Sequence, residues 1–277
     1  MKGQTTLEFL GSLLMFTLVI MASLTVASNK VPQFENDVEQ SVRNMEIYTV
    51  TNQMITEPGR HSFGAGGTNW EKNSSTLANT TEFGLASDYH IVSMDKLDSI
   101  STTGQNKFNY SQFRDLREPE HQYFFNFTWM PIVETSKSFI KTHSPSKITE
   151  PDTSTYATAN NRVHYGSLKV SGTKYRFLVT AHNSVYDTVY VSDDWDFKNS
   201  GGIGPGGNLD IGSYTFTVKK IQNRFRKPGT SVILENDLKS FGPRPGNAGT
   251  VTKINRFAAL DAQGTSRGVV RMEVLAW

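Results

Sequence analysis

The sequence predicts an α+β chain: a long N-terminal hydrophobic α-helix followed by a mainly antiparallel, β-sandwich-like head. Three observations predict it. Phe9 to Ala27, FLGSLLMFTLVIMASLTVA, carries no charged residue. Beyond Pro32, the apolar residues Phe34, Val38, Val42, Met45 and Tyr48 recur at spacings of 4, 4, 3 and 3, which traces one face of an α-helix. After Gly59 the pattern changes to short Val-, Ile-, Tyr- and Phe-rich runs, with turn signals every ~8–15 residues, as sheet proteins have.

Composition sets the outer limits. The 277 residues include 17 Phe, 10 Tyr and 4 Trp, enough to fill a core, and the formal net charge is +2. So small a charge predicts no nucleic-acid partner. There is no Cys, which excludes disulfide frameworks, Cys-ligated zinc, iron–sulfur clusters and thiol catalysis.

The first element is the helix. Over Phe9–Ala27 it would be roughly 28 Å long, about one hydrocarbon thickness. Charged Glu35, Asp37, Glu39, Arg43 and Glu46 lie off the later apolar stripe. Pro32 is expected to kink or locally melt the helix, because it lacks an amide donor. The helix is expected to stop near Thr56-Glu57-Pro58-Gly59. From residue 4 to there it would be about 50 residues, roughly 75–80 Å.

Three readings compete for this segment. A secretory signal peptide would be cut after Ala27, with Thr25 and Ala27 as small residues before the site. An uncleaved anchor would keep the whole segment. A prepilin-type leader would be cut ahead of the apolar run and leave that run in the mature chain. The apolar stretch exceeds the ~7–15 residues of a signal h-region, and the positive n-region is Lys2 alone. Glu8 sits in the helical register at the lip of the run, where a signal peptide or anchor has no use for an acid.

Lys2-Gly3-Gln4-Thr5-Thr6-Leu7-Glu8 resembles the class III signal peptide of archaeal type IV pilin-like proteins. The resemblance implies cleavage by a prepilin peptidase between Gly3 and Gln4, making Glu8 the fifth residue of the mature chain. Thr81-Glu82-Phe83-Gly84-Leu85-Ala86, following Thr68-Asn69-Trp70, is also similar to what some of these proteins carry behind the helix. An unpaired carboxylate in the bilayer costs several kcal/mol. The amine freed at Gln4, on the same chain or on a neighbouring subunit, is a natural cationic partner for Glu8. Such a pair would fix axial register as helices bundle. The plainer reading is that Glu8 snorkels to the interface.

The expected organisation is therefore a leader at 1–3 and a helix at 4–57, divided into a membrane or filament-core segment at 9–27 and an amphipathic part at 28–57. The head at 58–277 follows, with a join near 137–158. Within it, Gly64–Asn79 reads as loop. Strands are expected at Tyr89–Met94, Tyr123–Ile132, Val163–Val170, Tyr175–Ala181, Thr188–Val191, Tyr214–Ile221, Ser231–Leu234, Thr250–Leu260 and Gly268–Trp277, many with one wet face. Ser171-Gly172 reads as a hairpin turn.

Little in the head suggests chemistry. Gly264-Thr265-Ser266-Arg267-Gly268 matches G-x-S-x-G, yet it lies between two strand runs and no His follows His182, so it reads as a turn. Gly201–Gly207 lacks the Lys-Ser/Thr of a phosphate loop. The six His residues show no ligand spacing and are expected to be mostly exposed or half-buried. Asp193, Asp194 and Asp196 form the densest acidic cluster; a Ca²⁺ loop is conceivable there, but a solvated turn is the simpler reading. No metal or cofactor is assigned. Between Lys219 and Arg271 there are 11 Lys or Arg, expected on a wet sheet face, with attraction to acidic surfaces such as polysaccharide or DNA as the functional alternative. Asn73, Asn79, Asn109 and Asn126 begin Asn-X-Ser/Thr sequons, candidate N-glycosylation sites if the chain is exported, with Asn126, in a strand run, the least accessible of the four. The expected function is non-enzymatic: a structural or adhesive subunit of a surface filament, with a minor subunit also carried, whose partners are the prepilin peptidase, other pilin subunits and, before assembly, the membrane. The alternative is a membrane-anchored or secreted β-domain binding protein that does not polymerise.

Overall fold

The structure is a computed structural model. It describes residues 2–103, 106–136, 163–182, 185–193, 202–223, 230–247, 250–261 and 268–277, with backbone alone at 2–9, 136, 163, 180–182, 185–187 and 223. The chain divides into two compact units, one ending at Tyr48 and one from Thr49 to Trp277. The expected join near 137–158 lies outside the described residues.

Helix α1 runs from Lys2 to Thr56 over 55 residues. Its apolar half carries its few hydroxyls without breaking. Thr17, Thr25 and Ser28 each donate to the carbonyl four residues back, at 2.8 Å, which satisfies a polar group inside the helix itself. The helix continues through Pro32, so the expected local melting does not occur. Proline removes one amide donor, and the hydrogen-bonded turns on both sides hold the path. The C-terminus is sharp. Glu57 N–H still donates to the Gln53 carbonyl at 2.9 Å; Pro58 then ends the ladder, and Gly59 turns the chain at φ +69°. A Cβ at Gly59 would lie 2.6 Å from the Glu82 carbonyl oxygen, so this turn requires glycine.

The head opens with β1 (Arg60–His61), α2 (Ser74–Ala78), β2 (Thr80–Glu82), β3 (Ala86–Asp88), β4 (Ile91–Ser93), α3 (Met94–Asp98), β5 (Ile100–Ser101), β6 (Phe108–Asn109) and α4 (Tyr110–Arg117). The long strands follow: β7 (Tyr123–Met130), β8 (Ile132–Ser136), β9 (Val163–Val170), β10 (Thr173–His182), β11 (Val185–Ser192), β12 (Asn208–Ile211), β13 (Tyr214–Asn223), β14 (Thr230–Phe241), β15 (Thr252–Asp261) and β16 (Gly268–Ala276).

Twelve strands form one hydrogen-bonded sheet, in the order β11-β10-β9-β8-β14-β7-β16-β15-β4-β3, with β12 and β13 joined through β14. All pairs in it are antiparallel except β4 with β15. The single run expected over Tyr123–Ile132 divides at Pro131, which cannot donate to a ladder. Strand β14 spans that break: Thr230–Ile233 pair with β8, and Asn236–Phe241 pair with β7. Ser171 and Gly172, at φ +47° and +86°, close the β9–β10 hairpin, in keeping with a turn that needs two positive φ values.

Two expectations are corrected. The Gly64–Asn79 loop contains α2, and Met94 opens α3 rather than ending a strand. Helix α4 falls in a stretch given no element. Strand β7 is buried on both sides for most of its length: Phe125, Phe127 and Trp129 on one face, Phe124 and Thr128 on the other, where Asn126 and Met130 are half-buried. It lies between β14 and β16, and its second face is covered by longer side chains. The Arg244 guanidinium sits 5.7 Å from the Phe124 ring centre, and Thr128 Oγ1 donates to Asp237 at 3.0 Å.

The head core contains a connected cluster of aromatic side chains. Trp70, Phe83, Phe108, Phe113, Phe125 and Phe241 are all fully buried. Phe83 stacks on Phe108 at 4.5 Å and meets Phe113 edge-on at 5.5 Å. Each such ring contributes roughly 1.5–3 kcal/mol by burial, with additional stabilisation from these ring geometries.

Candidate functional site

The apolar half of α1 is the first candidate. From Leu10 to Val26, 11 large apolar side chains are exposed, from Ile20 at 42% to Met15 at 64%. Monomeric soluble proteins rarely expose a contiguous apolar surface of that extent. Phe34, Val38, Val42, Met45 and Tyr48 are exposed as well, so the predicted stripe also faces outward. The helix is long and apolar enough to cross a membrane once. Gly3, Gln4 and Glu8 all fall within α1, which places Glu8 in helical register with the apolar run; its side chain lies outside the described residues.

The second candidate is the neck, where residues 49–59 enter the head. Val50, Thr51, Met54 and Ile55 are buried. The chain Phe83-Gly84-Leu85-Ala86 lies against this end of the helix. Leu85 N–H donates to the Met54 carbonyl at 2.9 Å, and Ala86 N–H donates to the Glu57 carbonyl at 3.2 Å. A Cβ on Gly84 would fall 2.0 Å from the Glu57 carbonyl oxygen, so glycine permits the backbones to touch. Trp70 Nε1 donates to the carbonyls of Pro58 at 3.1 Å and Gly84 at 3.0 Å. Trp70 and Phe83–Ala86, which carry the second resemblance, thus converge on the base of α1.

Two cations complete the neck. Lys96 is 4% exposed, and its Nζ donates to the Pro58 carbonyl and, at 3.0 Å, to the Ala86 carbonyl. The same Nζ lies 6.0 Å from the Trp70 ring centre. Burial pushes Lys96 down to about 8, against an upward pull from Glu71. Arg117, at the end of α4, donates to Gln53 Oε1 and, at 2.7 Å, to the Phe83 carbonyl; its Nη2 is 3.9 Å from Glu57. Burial lowers its pKa, while Glu57 and Glu82 raise it. The buried Lys96 ammonium and the half-buried Arg117 guanidinium thus tie main-chain carbonyls of Pro58, Ala86 and Phe83, and the Gln53 side chain, together at the end of α1.

The four sequons have different settings. Asn73 and Asn79 are exposed at the two ends of α2. Asn109 is half-buried and caps α4, its Oδ1 accepting from Gln112 N–H at 3.0 Å. Asn126 is half-buried in the middle of β7, and its Oδ1 accepts from Ser240 Oγ at 3.0 Å. Of the acidic cluster, Asp193 is exposed, and Asp194 and Asp196 lie outside the described residues. Three cations of the basic stretch are ion-paired: Lys219 with Glu235 at 2.9 Å, Arg271 with Glu235 at 3.5 Å and Lys253 with Glu273 at 2.5 Å. Among the four His residues whose burial is described, His90 and His121 are half-buried, as expected, and His61 and His164 are buried. Each occupies a polar niche: His61 Nε2 lies 3.1 Å from Asn69 Oδ1, and His164 Nδ1 lies 2.5 Å from Thr230 Oγ1.

Comparison with family models, with curated proteins and with solved structures gave no match. Sequence reasoning missed Lys96 and Arg117, whose neck partners are 38 and 64 residues away in the chain. The sequence-level signals in that region were the glycines, Gly59 and Gly84, and the Pro58 stop.

Proposed function

We propose that this chain is a non-enzymatic subunit of a type IV pilus-like surface filament, with a minor or specialised subunit as the narrower form. It inserts in the membrane as a single-pass protein with its head outside, is trimmed at Gly3–Gln4 by a prepilin peptidase, and assembles with other subunits through α1. The reading rests on one observation above others: an unbroken helix whose apolar side chains from Leu10 to Val26 are all exposed, led in by KGQTTLE. An apolar surface of that size needs lipid or neighbouring helices around it. The head is read as sandwich-like, because β14 takes part in one ladder with β7 and in another with β8 and β13. Its outer surface supplies adhesive or subunit contacts, for instance to a surface polysaccharide.

Mass spectrometry of the mature N-terminus tests the reading. A chain beginning at Gln4 supports it. A chain beginning at Asn29 or later, or retaining Met1, replaces it with a secreted or anchored β-domain protein that does not polymerise.

A further inference from the structure

The helix and the neck leave the sequons without a role, and the structure separates them. We propose that Asn73 and Asn79, flanking α2, are N-glycosylation sites of the head, and that Asn109 and Asn126 are not. The inference rests on the export part of the proposed function, not on polymerisation.

The chemistry needs an asparagine amide, a hydroxyl two residues on, and a backbone that an enzyme can grip. Asparagine Nδ2 attacks the anomeric carbon of a lipid-phosphate-linked oligosaccharide. The C–N bond forms, the C–O bond to the phosphate breaks, the lipid-linked phosphate leaves with the electron pair, and the amide proton passes to a base of the transferase.

Both α2 sequons meet the need. Asn73 and Ser75 are exposed, as are Asn79 and Thr81. The cap at Asn73 uses Oδ1, which accepts from Thr76 N–H at 2.9 Å, so a sugar on Nδ2 leaves the cap intact. Asn79 Nδ2 donates to the Ser75 carbonyl at 2.8 Å, and a substituted amide keeps one N–H for that bond. Helix α2 has five residues, of which only Thr76 and Leu77 are buried. Beyond it, β2 is paired only with β1, in a two-stranded sheet. Such a segment opens locally at small cost.

The other two sequons are held by the core. Between Asn109 and Ser111, Tyr110 is buried, and its hydroxyl accepts from Tyr123 N–H at 2.7 Å. Asn126 is paired across β7 to Ser240 on one side and Glu273 on the other, with Phe125 and Phe127 fully buried beside it. Presenting either sequon to a transferase requires taking strands or core aromatics out of the head.

The test is glycopeptide mass spectrometry on the full chain taken from cells that make it, with external protease digestion of the same intact cells. The expected result is glycan mass on the Asn73 and Asn79 peptides and bare Asn109 and Asn126. Ser75→Ala and Thr81→Ala should each remove one glycan while leaving the asparagine and its hydrogen bonds in place. Bare Asn73 and Asn79 on a chain whose head is cut by external protease overturn the inference alone, and a glycan on one of the two overturns it for the other. A glycan on Asn109 or Asn126 overturns the discrimination. A head protected from external protease overturns the export reading and the inference together.

Discussion

Lys96 Nζ donates to the main-chain carbonyl of Pro58, the residue that ends the α1 ladder. A buried cation therefore holds the point where helix becomes head, and it also holds the Ala86 carbonyl on the neighbouring segment at 3.0 Å. Lys96→Met keeps the aliphatic volume and removes the donor. The Pro58 carbonyl keeps Trp70 Nε1 as a donor, so the larger loss falls on the Ala86 carbonyl, at about 1–3 kcal/mol, partly offset by the burial penalty of the ammonium. The full chain in mild detergent should melt at a lower temperature than wild type at pH 7.

The same residue sets a pH dependence. Lys96 titrates at about 8 in the folded head and at its ordinary 10.5 when unfolded. Between those values the unfolded chain binds more protons, so stability rises with pH across the window. Below about 8 the penalty for burying the charge is present in full. Wild type should therefore gain melting temperature relative to Lys96→Met between pH 8 and 10. Taking the difference cancels other groups, including Tyr165, which burial pushes up to about 12. A difference that stays flat with pH would show that Lys96 remains charged throughout.

Gly84→Ala should be among the most damaging single substitutions in the head. The added Cβ meets the Glu57 carbonyl oxygen at 2.0 Å, and that oxygen is main chain and cannot rotate away. The segment must back off from the helix end, at a cost of roughly 1–3 kcal/mol or more. Gly246→Ala is the control, since a Cβ there meets nothing within 4 Å; its effect should stay within about 0.5 kcal/mol. Thermal melts of the two variants, side by side, check the contrast.

How far this could be read from the sequence depended on periodicity. The apolar run and the 3–4 spacing after Phe34 announced α1, and β9 matches its expected bounds of Val163–Val170. The short helices escaped because eight residues or fewer give no usable period. Their caps were nevertheless legible: Asn73 with Thr76, Ser93 before Met94, and Asn109 with Gln112. The neck could not be read, because Lys96 and Arg117 act on main-chain atoms brought together only by the fold. Sequon positions were visible, and the strand run around Asn126 already marked it as the least accessible; the half-burial of Asn109 at the α4 cap was not legible.

Glu8→Gln tests the assembly reading from inside the helix. The substitution keeps size and helix propensity and removes the negative charge. Insertion should be unaffected or easier, because a neutral side chain is cheaper in lipid. If the acid pairs with the amine freed at Gln4, its loss removes a buried ion-pair partner, which costs about 3–5 kcal/mol where such pairs are broken. Most of the protein should then remain in the membrane fraction, with little in sheared filaments. Incorporation at the wild-type level would refute the pairing role while leaving the helix as the assembly element.

Asn109 separates structural from modification chemistry in one residue. Its Oδ1 accepts from Gln112 N–H at 3.0 Å, and Gln112 Oε1 accepts in return from Asn109 N–H at 3.0 Å, a reciprocal cap at the start of α4. That helix delivers Phe113 to the aromatic core and Arg117 to the neck, so a frayed first turn is felt in both places. Asn109→Ala should cost about 0.5–2 kcal/mol. Asn109→Asp retains an acceptor and adds a negative charge where the helix dipole favours one, so it should stay close to wild type. Ser111→Ala destroys the sequon and leaves the cap untouched, and it should change neither the glycan mass nor the melting temperature. Equal destabilisation by all three would mean that the loss follows the sequon and not the cap.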